Sequence, residues 1–242
     1  TIGLLNLLCN LCLTAMKTNI PIYLLLTAFF CAPISYAESD APIDMEGKEA
    51  VILRTGEGNP TAGETKAQLC IGCHGEKGNS TEPLIPKLAG QYSKYIAKEL
   101  RNYQAGVRTH QIMNAMSATV SDEDLADITA YFANQKKMTG NYATEKQLGK
   151  RLFLKGDASR AVIGCVNCHG LNGKGRLPVS AMFPVIGGQH KDYLRKQIVS
   201  FRNQERTNSA SGVMNNITKL LSDEEIDALA DPAKSSGSFA GK

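Results

Sequence analysis

Two five-residue stretches carry the chemistry of this sequence: Cys70-Ile71-Gly72-Cys73-His74 and Cys165-Val166-Asn167-Cys168-His169. Each sets two thiols three positions apart, with an imidazole directly after the second. C-x-x-C-H is the attachment pattern for c-type haem. Each thiolate adds across one vinyl group of the porphyrin, and the two-residue spacer places both sulfurs along one edge. The histidine is then carried under the ring, where its imidazole can ligate iron. Cys70, Cys73, Cys165 and Cys168 are therefore the candidate cofactor-binding residues, His74 and His169 the candidate proximal ligands, and two covalently bound haem c groups the expected cofactors. A redox C-x-x-C of thioredoxin type needs no neighbouring histidine and belongs beside a βαβ pattern that is absent here. A four-cysteine zinc site sets its two halves about 15–20 residues apart. Here 91 residues separate Cys73 from Cys165.

The chain has seven cysteines, and the other three, Cys9, Cys12 and Cys31, lie in the first 37 residues. From Met16 a basic start leads into an apolar run over 20–31, and small Ala37 precedes Glu38. This is the pattern of a secretory signal peptide over 16–37, with Ser35-Tyr36-Ala37 as its cleavage site. Residues 1–15 then read as a non-native extension upstream of the true start. Export implies an oxidising compartment, here the periplasm. The competing reading retains the leader, since 4–30 is long enough to span about 30 Å of hydrocarbon. The leader would then be a membrane anchor; apart from that reading, the exported protein could associate peripherally with the inner membrane. Asn6, Asn10, Lys17, Asn19 and Pro21 interrupt that span, and Phe30 is too bulky for lipid processing at Cys31.

The remainder repeats. At an offset of 95 the two haem motifs superimpose, together with Gly75 and Gly170. At 98, Pro86 meets Pro184, Gly90-Gln91 meets Gly188-Gln189, Tyr95 meets Tyr193, Tyr103 meets Phe201, and Arg108-Thr109 meets Arg206-Thr207. At 101, Met113 meets Met214 and Ser121-Asp122 meets Ser222-Asp223. The order of landmarks is kept, so the chain is a tandem pair of domains with one haem each. The repeat also selects the sixth iron ligand among His110, His190, Met113, Met116, Met182 and Met214. The two histidines are not equivalent, Met116 aligns with Ile217 as a core residue, and Met182 has no counterpart. Only Met113 and Met214 coincide, so they are the candidate distal ligands.

The haems need elements to hold them. Tyr92, Tyr95, Ile96, Leu100 and Tyr103 form a helical stripe over 91–105, matched in the second half by Tyr193, Leu194, Ile198 and Phe201. Ser121 and Ser222 begin acidic first turns, as helix N-caps do. Leu125, Ile128, Tyr131 and Phe132 form the face of a helix to about Asn134. Short helices are expected to lead into each haem motif from about Thr61 and Thr144. No stretch alternates as a strand does, so the fold class is all-α, two tandem domains each wrapped around one haem. The domains run 61–137 and 138–231, after an acidic segment over 38–60 and before a Ser, Gly and Lys rich tail over 232–242. A composition of 43% hydrophobic and 21% charged residues is that of a globular chain and excludes disorder, collagen and a polytopic membrane protein.

Two C-x-x-C-H-G motifs, each followed by Pro-x-x-x-Gly-Gln, a tyrosine-bearing helix, a methionine and a Ser-Asp helix start, resemble the dihaem class I cytochromes c, most closely the cytochrome c4 family. The resemblance covers about 61–230. It implies thioether bonds at Cys70, Cys73, Cys165 and Cys168, proximal His74 and His169, and distal Met113 and Met214. It also implies that the carbonyls of Pro86 and Pro184 accept a hydrogen bond from the proximal imidazoles. One departure is the last helix, which begins at Ile226 and Leu229 but meets Asp231-Pro232 early.

His/Met ligation fills both axial positions and leaves no open iron for substrate, so the expected activity is one-electron carriage and not enzymatic catalysis. The resemblance implies transfer in the periplasm from a quinol-oxidising complex to a terminal haem-copper oxidase. A dihaem electron-transfer subunit of a dehydrogenase would carry the same motifs, and a dihaem peroxidase would need one haem without a strong sixth ligand. Charge is distributed unevenly: −4 over 38–60, +1 over 61–137 and +6 over 138–242. Such a chain could be oriented by complementary redox partners, and nucleic acid is a poor match for an exported chain.

Overall fold

In the computed structural model the described residues are 56–138, 146–176 and 180–231. The leader, most of the acidic segment and the C-terminal tail expected from the sequence lie outside them. The described residues form ten α-helices, and their extended pairing is confined to isolated bridges at Asp157 with Val162 and Arg176 with Ser180. The all-α architecture expected from the sequence is the one observed.

In the first half, Asn59 starts α1 (Pro60–Lys66), its side chain accepting from Thr61 N at 2.9 Å and Ala62 N at 3.2 Å, while Pro60 takes the first-turn position that needs no N–H. Ala67 separates α1 from α2 (Gln68–His74), which carries the first haem motif. Then come α3 (Ser93–Gln104), α4 (Gln111–Ala118) and α5 (Asp122–Asn134). The Ser121 hydroxyl accepts from Asp124 N at 3.1 Å, and Asp122, Glu123 and Asp124 fill the first turn of α5, where negative charge suits the helix dipole.

The second half repeats the plan with α6 (Gln147–Lys155), α7 (Val166–His169), α8 (Lys191–Arg202), α9 (Val213–Thr218) and α10 (Asp223–Ala230). A complete capping box starts α10: Ser222 Oγ accepts from Glu225 N at 3.2 Å, and Ser222 N donates to the Glu225 carboxylate at 2.9 Å. This helix has 8 residues where α5 has 13, in keeping with the early stop read from the sequence.

The approach to the second haem motif is different from the one expected. The helix does not run into it: α6 ends at Gly156, whose φ of 69° turns the chain, and a loop over 157–164 intervenes before Cys165. Reciprocal backbone bonds between Asp157 and Val162, at 2.7 and 2.9 Å, close the loop. Arg160 pins it to the Asp157 and Glu225 carboxylates.

Each half has its own core. In the first, Ala67, Ile96, Ile128, Tyr131 and Phe132 are buried together. In the second, Leu152, Phe153, Leu194, Ile226 and Leu229 do the same. A third, smaller cluster of Tyr92, Met138 and Val185 lies between the halves. In the first half the motif-bearing segment is held by the contact of α1 with α5. Gly63 sits against that helix so closely that a Cβ there would collide with the Asp127 carbonyl oxygen. Lys66 bridges Asp124 at 2.9 Å and Asp127 at 2.7 Å at the same contact.

Because the obstacle is backbone and not a movable side chain, Gly63→Ala is expected to destabilise the holoprotein by about 2 kcal/mol, within the range for overpacking. Denaturant unfolding of wild type and variant measures it, and an unchanged midpoint would contradict the packing described.

Candidate functional site

Helix geometry places Cys70, Cys73 and His74, spaced i, i+3 and i+4, on one face of α2. After each histidine a glycine turns the chain away with positive φ, 78° at Gly75 and 74° at Gly170. At Gly170 a Cβ would also strike the Gly175 carbonyl. Both histidines are buried. His74 Nδ1 lies 2.8 Å from the Pro86 carbonyl oxygen, and His169 Nδ1 lies 2.9 Å from that of Pro184. A carbonyl can only accept, so Nδ1 carries the proton and Nε2 retains its lone pair. Burial lowers both imidazole pKa values, outweighing the opposing pull of the carbonyls, and favours the neutral form that a metal ligand requires.

The four thiols are unpaired with one another. Burial pushes the Cys165 thiol up to about 11 and the Cys70 thiol upward as well, the reverse of what activates a redox nucleophile. Among the described residues no group of three or more His, Cys, Asp or Glu side chains is placed to hold a metal ion, so the zinc reading finds no cluster.

A cavity of about 440 Å³ runs along both motifs. Cys70, Cys73 and His74 line it in the first half, and Cys165, Cys168 and His169 in the second. Met113 on α4 and Met214 on α9 reach the same cavity, as do Met116 and Met182. Proximity alone therefore does not distinguish the four methionines; the repeat register does. His110 touches the cavity too, but its Nδ1 caps α4, accepting from Met113 N at 3.4 Å. His190 is not among the lining residues and its Nε2 faces the Ser80 carbonyl at 2.9 Å. Thiols on one wall, a neutral imidazole beside them, thioethers and mostly apolar side chains are a donor set and lining that fit a covalently attached porphyrin in each half.

Residues to which the sequence assigned no role close the seam between the halves. Glu99 is buried and accepts from Arg108 at 2.8 Å, Asn208 at 2.8 Å and Lys98 at 2.6 Å, with Arg206 at 3.1 Å. Both arginines also donate to Gln197 Oε1, Arg108 at 2.9 Å and Arg206 at 2.7 Å. They cross to the opposite half's tyrosine as well, Arg108 to Tyr193 and Arg206 to Tyr95, each at 3.2 Å. Arg108 with Arg206 and Tyr95 with Tyr193 were visible as equivalent positions of the repeat; the tyrosines belong to the helical stripe, and the duplication of the arginines without a ligand or core role was the available signal.

The cytochrome c family profile matches residues 61–136 and 147–231. The chain belongs to that family, as a dihaem class I cytochrome c of the c4 type. It is similar to cytochrome c4 of Pseudomonas aeruginosa, 39% identical over 178 residues that cover 72% of this chain and 86% of that protein. It is also similar to the thiosulfate dehydrogenase electron acceptor of Stutzerimonas stutzeri, 32% identical over 185 residues, 74% of this chain and 82% of that one. Among solved structures, reduced recombinant cytochrome c4 from Pseudomonas stutzeri superimposes with a TM-score of 0.67 at 38% identity, covering 72% of this chain and 96% of its own. The protein accordingly carries two covalently bound haem c groups and is a dihaem electron carrier.

Glu99 supplies a pH dependence. Burial alone would raise its carboxyl, but the charges of Arg206, Arg108 and Lys98 outweigh that and hold it at about 2, below the ordinary 4.5. A depressed carboxylate contributes stability that is complete above its unfolded pKa and fades as pH falls through the folded one. The stability difference between wild type and Glu99→Gln should therefore be largest above about pH 4.5, on the order of 3 kcal/mol, and shrink towards pH 2. Denaturant midpoints of both holoproteins across that range measure it, and a pH-independent gap would count against the assignment.

Proposed function

We propose that the first haem is attached through Cys70 and Cys73 with His74 and Met113 as axial ligands, and the second through Cys165 and Cys168 with His169 and Met214. The supporting observation is the pair of Nδ1 contacts with Pro86 and Pro184, which leave each Nε2 as the unprotonated nitrogen in a cavity that also receives a methionine from another helix. The domains are assigned to 61–137 and 138–231, one haem in each.

The haem iron supplies a one-electron ferric/ferrous couple, and a thioether ligand favours the ferrous state. The chain's own residues do the rest. Burial keeps the imidazoles neutral, the proline carbonyls fix their tautomer and orientation, and apolar walls keep water from the ring. Tyr95, Tyr193, Arg108 and Arg206 hold the halves together, which would keep the two haem sites at a fixed separation within one chain. Both axial positions are taken by protein in this assignment, which describes a carrier and not an enzyme.

The carrier works in the periplasm after removal of the leader, between a quinol-oxidising complex and a haem-copper oxidase. Among the described residues no helix is long and apolar enough to cross a membrane. A second reading makes a dehydrogenase the donor; it draws on the likeness to a protein named as a thiosulfate dehydrogenase electron acceptor.

A redox titration of the holoprotein, followed optically, should show two haems per chain and an iron–methionine charge-transfer band from both. Met113→Ala should remove about half of that band and lower the potential of one haem, and Met214→Ala the other half. A wild-type band of single-haem intensity, or rapid peroxide reduction by the isolated protein, would overturn the carrier assignment.

A further inference from the structure

The Gln of each Pro-x-x-x-Gly-Gln stretch reaches into the opposite half. Gln189 Oε1 accepts from the backbone N–H of Lys87 at 2.9 Å, and its Nε2 donates to the Lys87 carbonyl at 3.0 Å. Gln91 does the same in return: its Oε1 accepts from Val185 N at 2.9 Å, and its Nε2 donates to the Val185 carbonyl at 2.8 Å. Lys87 and Val185 are the residues that follow Pro86 and Pro184. The N–H of Lys87 and the C=O of Pro86 therefore belong to one peptide group, as do those of Val185 and Pro184.

That peptide group is bonded at both ends. On one side its oxygen takes the Nδ1 proton of the haem-motif histidine, at 2.8 Å in the first half and 2.9 Å in the second. On the other side its N–H is given to a glutamine of the opposite half. A second backbone donor fixes each amide's orientation, since Tyr92 N reaches Gln91 Oε1 at 3.1 Å and His190 N reaches Gln189 Oε1 at 3.0 Å. Both Oε1 atoms thus face N–H groups only, and rotating the amides would set donor against donor.

Hydrogen bonds in such a chain polarise one another. A peptide whose N–H is donated has a more negative carbonyl oxygen, and a more negative oxygen draws the Nδ1 proton more strongly. The imidazole then becomes a better electron donor through Nε2, which favours ferric over ferrous iron and lowers the reduction potential. The gain or loss of one electron at iron is the whole redox step, with no proton transferred.

We propose that Gln189 and Gln91 are positioning residues that act across the seam. Gln189 tunes the haem of the first half through Lys87, Pro86 and His74, and Gln91 tunes the haem of the second through Val185, Pro184 and His169. The proposal rests on His74 and His169 being the proximal ligands.

The test is a redox titration of the holoprotein followed by NMR, with each haem's own resonances assigned and the histidines labelled with nitrogen-15. Gln189→Leu should raise the potential of the first-half haem, leave the second unchanged, and weaken the hydrogen bond that His74 Nδ1–H donates to the Pro86 carbonyl, read as an upfield shift of that proton in the reduced protein. Gln91→Leu should do the converse at His169. Gln189→Glu, nearly isosteric and able in its neutral form to make both bonds, should return the first-half potential to the wild-type value or below it, and it covers the case in which leucine disrupts the fold. Equal shifts at both haems, a shift confined to the glutamine's own half, or a glutamate variant as high in potential as the leucine one would overturn the proposal. The ligand reading is tested separately in the wild type. Ring protons of His74 and His169 without the large porphyrin ring-current shift would sink that reading, whereas shifted protons that ignore Gln189→Leu and Gln91→Leu would sink only the inference.

Discussion

Each half of this protein is organised around a single hydrogen bond, from the Nδ1 of the haem-motif histidine to a proline carbonyl 12 residues on in the first half and 15 in the second. That bond commits the imidazole to one tautomer and presents Nε2 to the cavity. It also dictates the path of the chain after the motif: Gly75 and Gly170 must turn sharply for the carbonyl to come back to the imidazole. Proline suits the returning position because its fixed φ keeps the chain extended and it has no N–H of its own to satisfy. The difference in loop length is absorbed by the segment between the glycine and the proline, so the second half accommodates three more residues with the contact conserved to 0.1 Å.

The same proline segments form the seam. Two glutamines bond reciprocally to the peptides next to them, and two arginines cross between Glu99 and Gln197. The arrangement is nearly two-fold, and the exception is a charge: a carboxylate at 99 faces an amide at the equivalent 197. Glu99 lies among Arg108, Arg206 and Lys98, so its desolvation is offset by paired, hydrogen-bonded cations. A buried ion pair of this kind is not in itself a large source of stability. Its effect is to define how the halves meet, since any slippage would strand a buried charge.

Much of this was legible in the residues. The haem motifs are local, within about one helical turn, so spacing was sufficient to read them. The caps at Ser121 and Ser222 and the stripe of α3 were equally local, and the helices were found where those signals put them. The loop over 157–164 was not foreseen, because Gly156 ends α6 through a backbone conformation that side-chain periodicity does not encode. Met113 and Met214 were separated from Met116 and Met182 by the repeat register, a distinction that the cavity wall, shared by all four, does not make.

The sequence by itself determined the covalent chemistry, the number of cofactors and the internal duplication, because each is written in the identity and spacing of residues along the chain. Only the tertiary structure decided what Gln91, Gln189, Arg108 and Arg206 do. They stood out as repeated landmarks at an offset of 98, but each of them also bonds to a residue of the opposite half of the chain. A hydrogen bond over that separation exists only once two folded halves have met in one orientation, and no local pattern of residues specifies that meeting.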